Sequence, residues 1–107
     1  QMFFDNKHYF KFVEQCNKIG IKIPIIPGIK ILSLERHLEA LPKHFYLNLP
    51  KELIKSVEGK SKSEIRNSGI DWAINQIQEL IDQGVPCIHF YIMSSAKSAT
   101  KVVSSFI

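Results

Sequence analysis

The passage from Gly84 to Met93 restricts the fold more than any other part of the chain. A long helical pattern stops at Gly84, and Val85-Pro86 leads directly into Cys87-Ile88-His89-Phe90-Tyr91-Ile92-Met93. A short run so rich in aromatic and β-branched residues, bounded by Gly and Pro before it and by Ser94-Ser95 after it, reads as a strand. The preceding helix, from about Ser61 to Gln83, sets Ile70, Ala73, Ile74, Ile77, Leu80 and Ile81 on one face. Gly69 within it marks either a break or a close contact with another element. Beyond the strand, Ser94-Ser95 are expected to cap a last helix that buries Ala99, Val102, Val103 and Phe106.

The same alternation runs through the rest of the chain. Gln1-Met2-Phe3-Phe4 is an apolar, strand-favouring run, and Asp5-Asn6 then reads as a helix N-cap. Tyr9, Phe10, Phe12, Val13, Cys16 and Ile19 recur at helical spacing up to the stop at Gly20. Ile21–Ile26, closed by Pro27-Gly28, reads as a buried strand, although its prolines cannot donate to a ladder. Ser33 is expected to cap a short helix that carries Leu34, Leu38 and Leu41 and ends at Pro42. Pro50 opens another, with Leu53, Ile54 and Val57 inside.

Strands that alternate with helices imply right-handed crossovers and a parallel sheet. The near-continuous apolar strands suit a sheet covered on both faces. A three-stranded parallel unit is too small to stand as a finished fold. A chain that opens on a strand tip suggests the C-terminal portion of a TIM (β/α)8 barrel, which needs roughly 250 residues when complete.

Composition narrows the function classes. With 107 residues and 45% hydrophobic content, the chain can pack a core as one small domain. The net charge of +4 comes from 14 basic residues spread along the whole chain. Its densest group, Lys51, Lys55, Lys60 and Lys62, is interleaved with Glu52, Glu58 and Glu64, which reads as a solvated surface and not as a phosphate track for nucleic acid. No apolar stretch reaches the roughly 18–20 residues of a membrane span, and nothing resembles a signal peptide. Two cysteines fit a reducing, cytoplasmic setting better than a disulfide framework. His8 with Cys16, and His37 with His44, lack the paired spacing of a metal site. There is no G-x-S-x-G, Walker loop or G-x-G-x-x-G.

Four blocks then resemble one family in the same order. They are Gln1-Met2-Phe3-Phe4-Asp5, Ile25-Ile26-Pro27-Gly28-Ile29, Glu64-Ile65-Arg66-Asn67-Ser68-Gly69-Ile70, and Gly84-Val85-Pro86-Cys87-Ile88-His89-Phe90-Tyr91. Together they are similar to the methylenetetrahydrofolate reductase family, over the last three βα units of its barrel. The resemblance implies FAD, NADH or NADPH as hydride donor, and a folate substrate reduced from the 5,10-methylene to the 5-methyl form. It also implies that most of the flavin site and the acid that assists folate protonation lie upstream, so that residues 1–107 alone are inactive. A homo-oligomer is expected, and the open sheet edges predict self-association.

The resemblance singles out particular residues. The Gln1 amide offers a donor and an acceptor together and is expected to touch both folate and nicotinamide; a solvated polar terminus is the plainer alternative. Met93 takes the strand-tip position that packs against substrate. Many family members carry Asn-Arg after this strand, where the arginine holds the acidic folate tail. Here the pair is Ser94-Ser95, so Lys97 becomes the candidate point charge. Lys51 and Lys55 are polar candidates after Pro50, against a solvated helix face. His89 and Tyr91 are expected to be hydrogen-bonded interior residues, and Cys87 an inert buried thiol. Two rival readings remain from sequence: a non-catalytic α/β interaction module, and a different barrel enzyme sharing the architecture.

Overall fold

The computed structural model describes residues 1–93 and 95–107, and Ser94 lies outside them. Helix α1 spans Asn6–Lys18, α2 His37–Phe45, α3 Lys51–Val57, α4 Lys62–Asp82 and α5 Lys97–Ser104. Strand β1 is Gly28–Ile29 and β2 is His89–Phe90, paired in parallel with Gly28 level with His89. Met2 forms a parallel bridge to Gly28 on the other side. The spatial order therefore follows the chain: first segment, β1, β2, each joined to the next through helices.

Local signals account for the helices. The Asp5 carboxylate accepts from the Lys7 N–H at 3.0 Å and starts α1. At α4 the Ser61 hydroxyl accepts from the Glu64 N–H at 3.3 Å, and the Glu64 carboxylate accepts from the Ser61 N–H at 3.2 Å. This reciprocal capping box satisfies two otherwise unpaired donors. Hydrogen bonding from the Ser61 side chain, and then from its backbone N–H, holds the exposed Glu64 carboxyl below its usual range, with a smaller contribution from the charge of Lys60. Gly84, at φ +80°, adopts the left-handed conformation that terminates the helix.

Two hydrophobic clusters fill the interior. Phe3, Ile29 and Ile31 meet Ile70, Ala73, Ile77 and Leu80 of α4 and Ala99 and Val102 of α5. Met2, Phe4 and Leu32 meet Leu41, Leu53, Val57 and Ile65. Met2 and Phe4 thus side with one cluster and Phe3 with the other, as the two-residue period of an extended segment requires. Gly69 settles the choice left open by sequence. The helix is continuous there, and the backbone of Leu32 lies so close that a β-carbon on Gly69 would overlap its carbonyl oxygen.

Several expectations need correction. Ile21–Ile26 is irregular, and Ile23 and Ile26 are 71% and 52% exposed. Pro24 and Pro27 remove ladder donors, so pairing begins only at Gly28. The run from Cys87 to Met93 is regular only at His89–Phe90, because β2 is the edge of the sheet. Cys87 is exposed for the same reason, not buried. Helix α2 starts at His37, not after Ser33, and it contains Pro42 and ends at Phe45. Tyr46 then closes it in the left-handed region at φ 53°. Phe12, Ile19 and Ile81 are exposed although they share the phase of their helical stripes, and Val103 is 38% exposed.

Replacing Gly69 with Ala would add about 1 kcal/mol of helix propensity, but it would force α4 and the Leu32 backbone apart. Overpacking of this kind costs typically 1–3 kcal/mol or more. The expected result is a net loss of about 2 kcal/mol in urea unfolding, and an unchanged or raised midpoint would contradict the close approach.

Candidate functional site

The strands run in parallel, so the loops that follow them lie at one end of the sheet, where α/β folds hold their ligands. Of these, the segment after β1 is the most elaborated. Leu32 is pinned beneath Gly69, and the chain then turns through Ser33–Arg36 into α2. The imidazole Nδ1 of His37 accepts from the backbone N–H groups of Ser33 and Leu34, at 3.2 and 3.3 Å. An acceptor at Nδ1 requires the neutral ring. Burial, with added repulsion from Lys30 and Arg36, lowers the His37 pKa from its ordinary 6.5. Burial likewise lowers the pKa of the half-buried Lys30 ammonium.

A groove of about 470 Å³ opens beside this turn, lined by Ser33, Leu34, Glu35, Arg36, Lys60, Lys62 and Ile65. A second cavity, of about 330 Å³, lies between the starts of α1 and α3 and the side of α4 that carries Trp72, Gln76 and Glu79. Its wall carries a polar network. The Asn6 amide donates to the Gln76 carbonyl at 2.9 Å and to the Glu79 carboxylate at 2.8 Å. The Gln76 amide donates to the Phe3 carbonyl at 2.9 Å, and the Trp72 indole to the Phe4 carbonyl at 2.8 Å.

The residues expected from sequence are placed as follows. Gln1 is exposed, and its amide donates to the Phe45 carbonyl at the end of α2. Lys51 and Lys55 lie one turn apart on α3, exposed, while Leu53 and Val57 of that helix are buried. Met93 is 82% exposed beyond β2. Lys97 is the exposed first residue of α5, and its N–H donates to the Ser95 hydroxyl at 3.3 Å. The expected pair with Ser94 falls partly outside the described residues.

Among the described residues no hydrogen bond or ion pair joins any two of these five. Met2 is level with Gly28 and Gly28 with His89. Gln1 therefore lies one residue before that level, whereas Met93 lies three residues past the end of β2, in a bend.

His89 and Tyr91 share a face as the strand period requires, with ring centroids 4.7 Å apart and planes at 81°. His89 is exposed, so the expectation of an interior histidine is not met. Among the described residues neither ring has a hydrogen-bond partner. The Tyr91 ring instead covers Gly28, where a β-carbon would come within 2.5 Å of it.

Three groups were not anticipated as parts of a site: the His37 turn, the groove cations Arg36, Lys60 and Lys62, and the Asn6–Gln76–Glu79 network. Gln76 left a signal, because it is a polar residue in phase with Ala73, Ile77 and Leu80. The groove left none, since Arg36 and Lys60 are far apart in sequence.

The geometry defines an α/β crossover protein with its polar loops gathered beyond the strand ends. Residues 1–106 match the family model described as methylenetetrahydrofolate reductase, and the chain belongs to that family. It is 30% identical over 98% of its length to the Caenorhabditis elegans protein named probable methylenetetrahydrofolate reductase (NADPH). It is also 30% identical over 96% of its length to methylenetetrahydrofolate reductase (NADH) 1 of Arabidopsis thaliana, and 29% identical over 91% to 5,10-methylenetetrahydrofolate reductase of Salmonella typhimurium. The chain spans 16%, 18% and 33% of those three relatives respectively.

The His37 turn predicts a pH response. A folded pKa below the unfolded value means that the unfolded chain binds protons first as pH falls. Stability that is complete above about pH 6.5 should therefore decline as pH drops through that value and on through the lower folded pKa. His37→Gln keeps a side-chain acceptor but does not titrate. It should flatten the decline between about pH 7 and pH 5, read by urea unfolding and by amide exchange at Ser33 and Leu34. An identical pH profile in the variant would remove His37 as the responsible group.

Proposed function

We propose that these 107 residues supply substrate-facing loops of a methylenetetrahydrofolate reductase. The complete protein would reduce 5,10-methylenetetrahydrofolate to 5-methyltetrahydrofolate, with reducing equivalents from NADH or NADPH carried by FAD. The observation that carries this reading is the family match from residue 1 to residue 106. The printed names of the relatives divide between the two nicotinamide donors, and the proposal covers both.

The fold reading follows from the same match. A parallel sheet in which neighbours in space are neighbours in sequence is what consecutive units of a (β/α)8 barrel would present. The open edge at β2 favours self-association of the chain, and a homo-oligomer and a cytoplasmic setting complete the proposal. No helix among the described residues is long and apolar enough to cross a membrane.

Most of the site for FAD belongs, in this proposal, to parts of the protein outside these residues. Gln1, the one cofactor contact proposed here, gives an amide N–H to Phe45, and His89 and Tyr91 pack against each other. When bound, the flavin would carry the hydride. What this chain contributes is binding and orientation. The carbonyl and second N–H of the Gln1 amide can pair with the edge of a pterin or with a carboxamide. Exposed Met93 offers a soft apolar surface beyond β2. Lys51, Lys55 and Lys97 are solvent-facing cations available to carboxylates.

Binding and kinetic measurements test this. Titrated with the 107-residue chain, FAD fluorescence should show no saturable change; tight binding would show that the chain builds a flavin site of its own. In the full-length protein, Gln1→Ala should raise the KM for folate and for the nicotinamide by about tenfold each, the equivalent of one good hydrogen bond of roughly 1.4 kcal/mol. Lys97→Ala should raise the folate KM alone. A full-length protein that makes no 5-methyltetrahydrofolate when given FAD and both donors would overturn the reading.

A further inference from the structure

The groove after β1 combines an apolar floor with a cationic rim. Its floor is apolar, formed by Leu34 and by Ile65, which is 3% exposed. Its rim carries Arg36, Lys60 and Lys62, with Glu35 as the one acid in the lining. Arg36 comes from the turn before α2, whereas Lys60 and Lys62 flank the N-cap of α4. The fold therefore gathers three cations from two separate segments around one concavity.

The electrostatics of the neighbourhood agree. Among the described residues none of the three cations is in an ion pair; the pair seen there is Lys18 with Glu14, at 3.4 Å. Glu64 senses Lys60 but spends its carboxylate on the capping box. Lys30 and Arg36 repel a proton from His37 at the edge of the same turn, beyond the larger effect of burial. Three cations facing one carboxylate, Glu35, leave a net positive charge in the groove; like charges raise one another's energy, and an anion placed among them relieves it. The α4 dipole adds a partial positive charge at the same end.

We infer that the groove formed by Ser33, Leu34, Arg36, Lys60, Lys62 and Ile65 binds a ligand with an apolar body and an anionic end. The apolar body lies on Leu34 and Ile65, and the anionic end is met by Arg36 and the two lysines. Arg36 can grip a carboxylate or a phosphate with two parallel N–H donors, and the lysines add point charges. If the proposed folate reading holds, the natural ligand is the aryl-glutamate portion of the substrate, and the groove supplies the charge that Ser95 does not. A nucleotide phosphate shares the anionic chemistry, and the two sources are separable by experiment.

The test is calorimetric titration of the 107-residue chain with p-aminobenzoyl-triglutamate and, separately, with pyrophosphate. The aryl-triglutamate should bind, and the triple variant Arg36→Ala, Lys60→Ala, Lys62→Ala should lose at least tenfold in affinity. All three side chains are exposed, so the variant should keep its fold, checked by an unchanged urea midpoint. Should that midpoint fall, Leu34→Glu is the second variant: it leaves the cations in place, sets a charge on the apolar floor, and should also weaken binding. Pyrophosphate binding as tight as that of the aryl-triglutamate, and lost in the triple variant, would support the anion site with phosphate as its source. No binding of either probe, or full binding by the folded triple variant, would overturn the inference. Loss in Lys97→Ala but not in the triple variant would also overturn it, while leaving the folate reading standing.

Discussion

The seat of α4 on the sheet holds the rest of this structure in place. A helix is normally kept off the strands it covers by the side chains between them. At Gly69 that spacing collapses and helix backbone meets the Leu32 backbone. One and two turns further along, Trp72 and Gln76 send their N–H groups to the carbonyls of Phe4 and Phe3. Among the described residues the first segment bridges a neighbour only at Met2, so these carbonyls would otherwise be buried acceptors without donors. The helix thus supplies what a sheet ladder would supply elsewhere, and it fixes the first segment and the end of β1 against one another.

The loop after β1 inherits its geometry from that seat. With Leu32 held under Gly69, Ser33 and Leu34 must turn away at once, and the turn exposes two backbone N–H groups. A neutral His37 accepts both. The same helix sets the other wall. Its capping box fixes the approach of Lys60 and Lys62, so both sides of the groove are referred to one element. A change in the register of α4 would therefore disturb the groove and the first strand together.

Much of this was legible in the sequence, and the division is physical. α1 and α4 are specified by contacts three and four residues apart, by Asp5 and Ser61 as caps and by Gly84 as a stop, so their limits could be read directly. Gly69 could be flagged, because a glycine in a strong helical pattern is costly unless something needs its space. Strand limits were not legible in the same way. Ile21–Ile26 has the composition of a strand, yet pairing depends on partners distant in sequence and on N–H groups that Pro24 and Pro27 lack. Cys87 was misread for a related reason: an apolar run shows that a segment prefers burial, not whether a neighbour covers its outer side. The start of α2 is not legible because residues 34–36 first form tight turns, with the His37 N–H donating to the Leu34 carbonyl and the Leu38 N–H to the Glu35 carbonyl, and only then does the helix begin.

The charge pattern carries the same lesson toward function. Along the chain Lys60 and Lys62 alternate with Glu58 and Glu64, and by sequence the cluster is balanced. Folding changes the accounting. Glu64 is drawn into the cap of its own helix, and Arg36, distant in sequence, is brought to the rim of the groove that Lys60 and Lys62 also line. A surface that looks neutralised in one dimension becomes locally cationic in three. The apolar floor strengthens that effect, since charges beside a poorly solvated surface are less screened than charges in open water. Local positive charge in this chain thus arises where separate segments meet, beyond the end of β1, and not from any one run of residues.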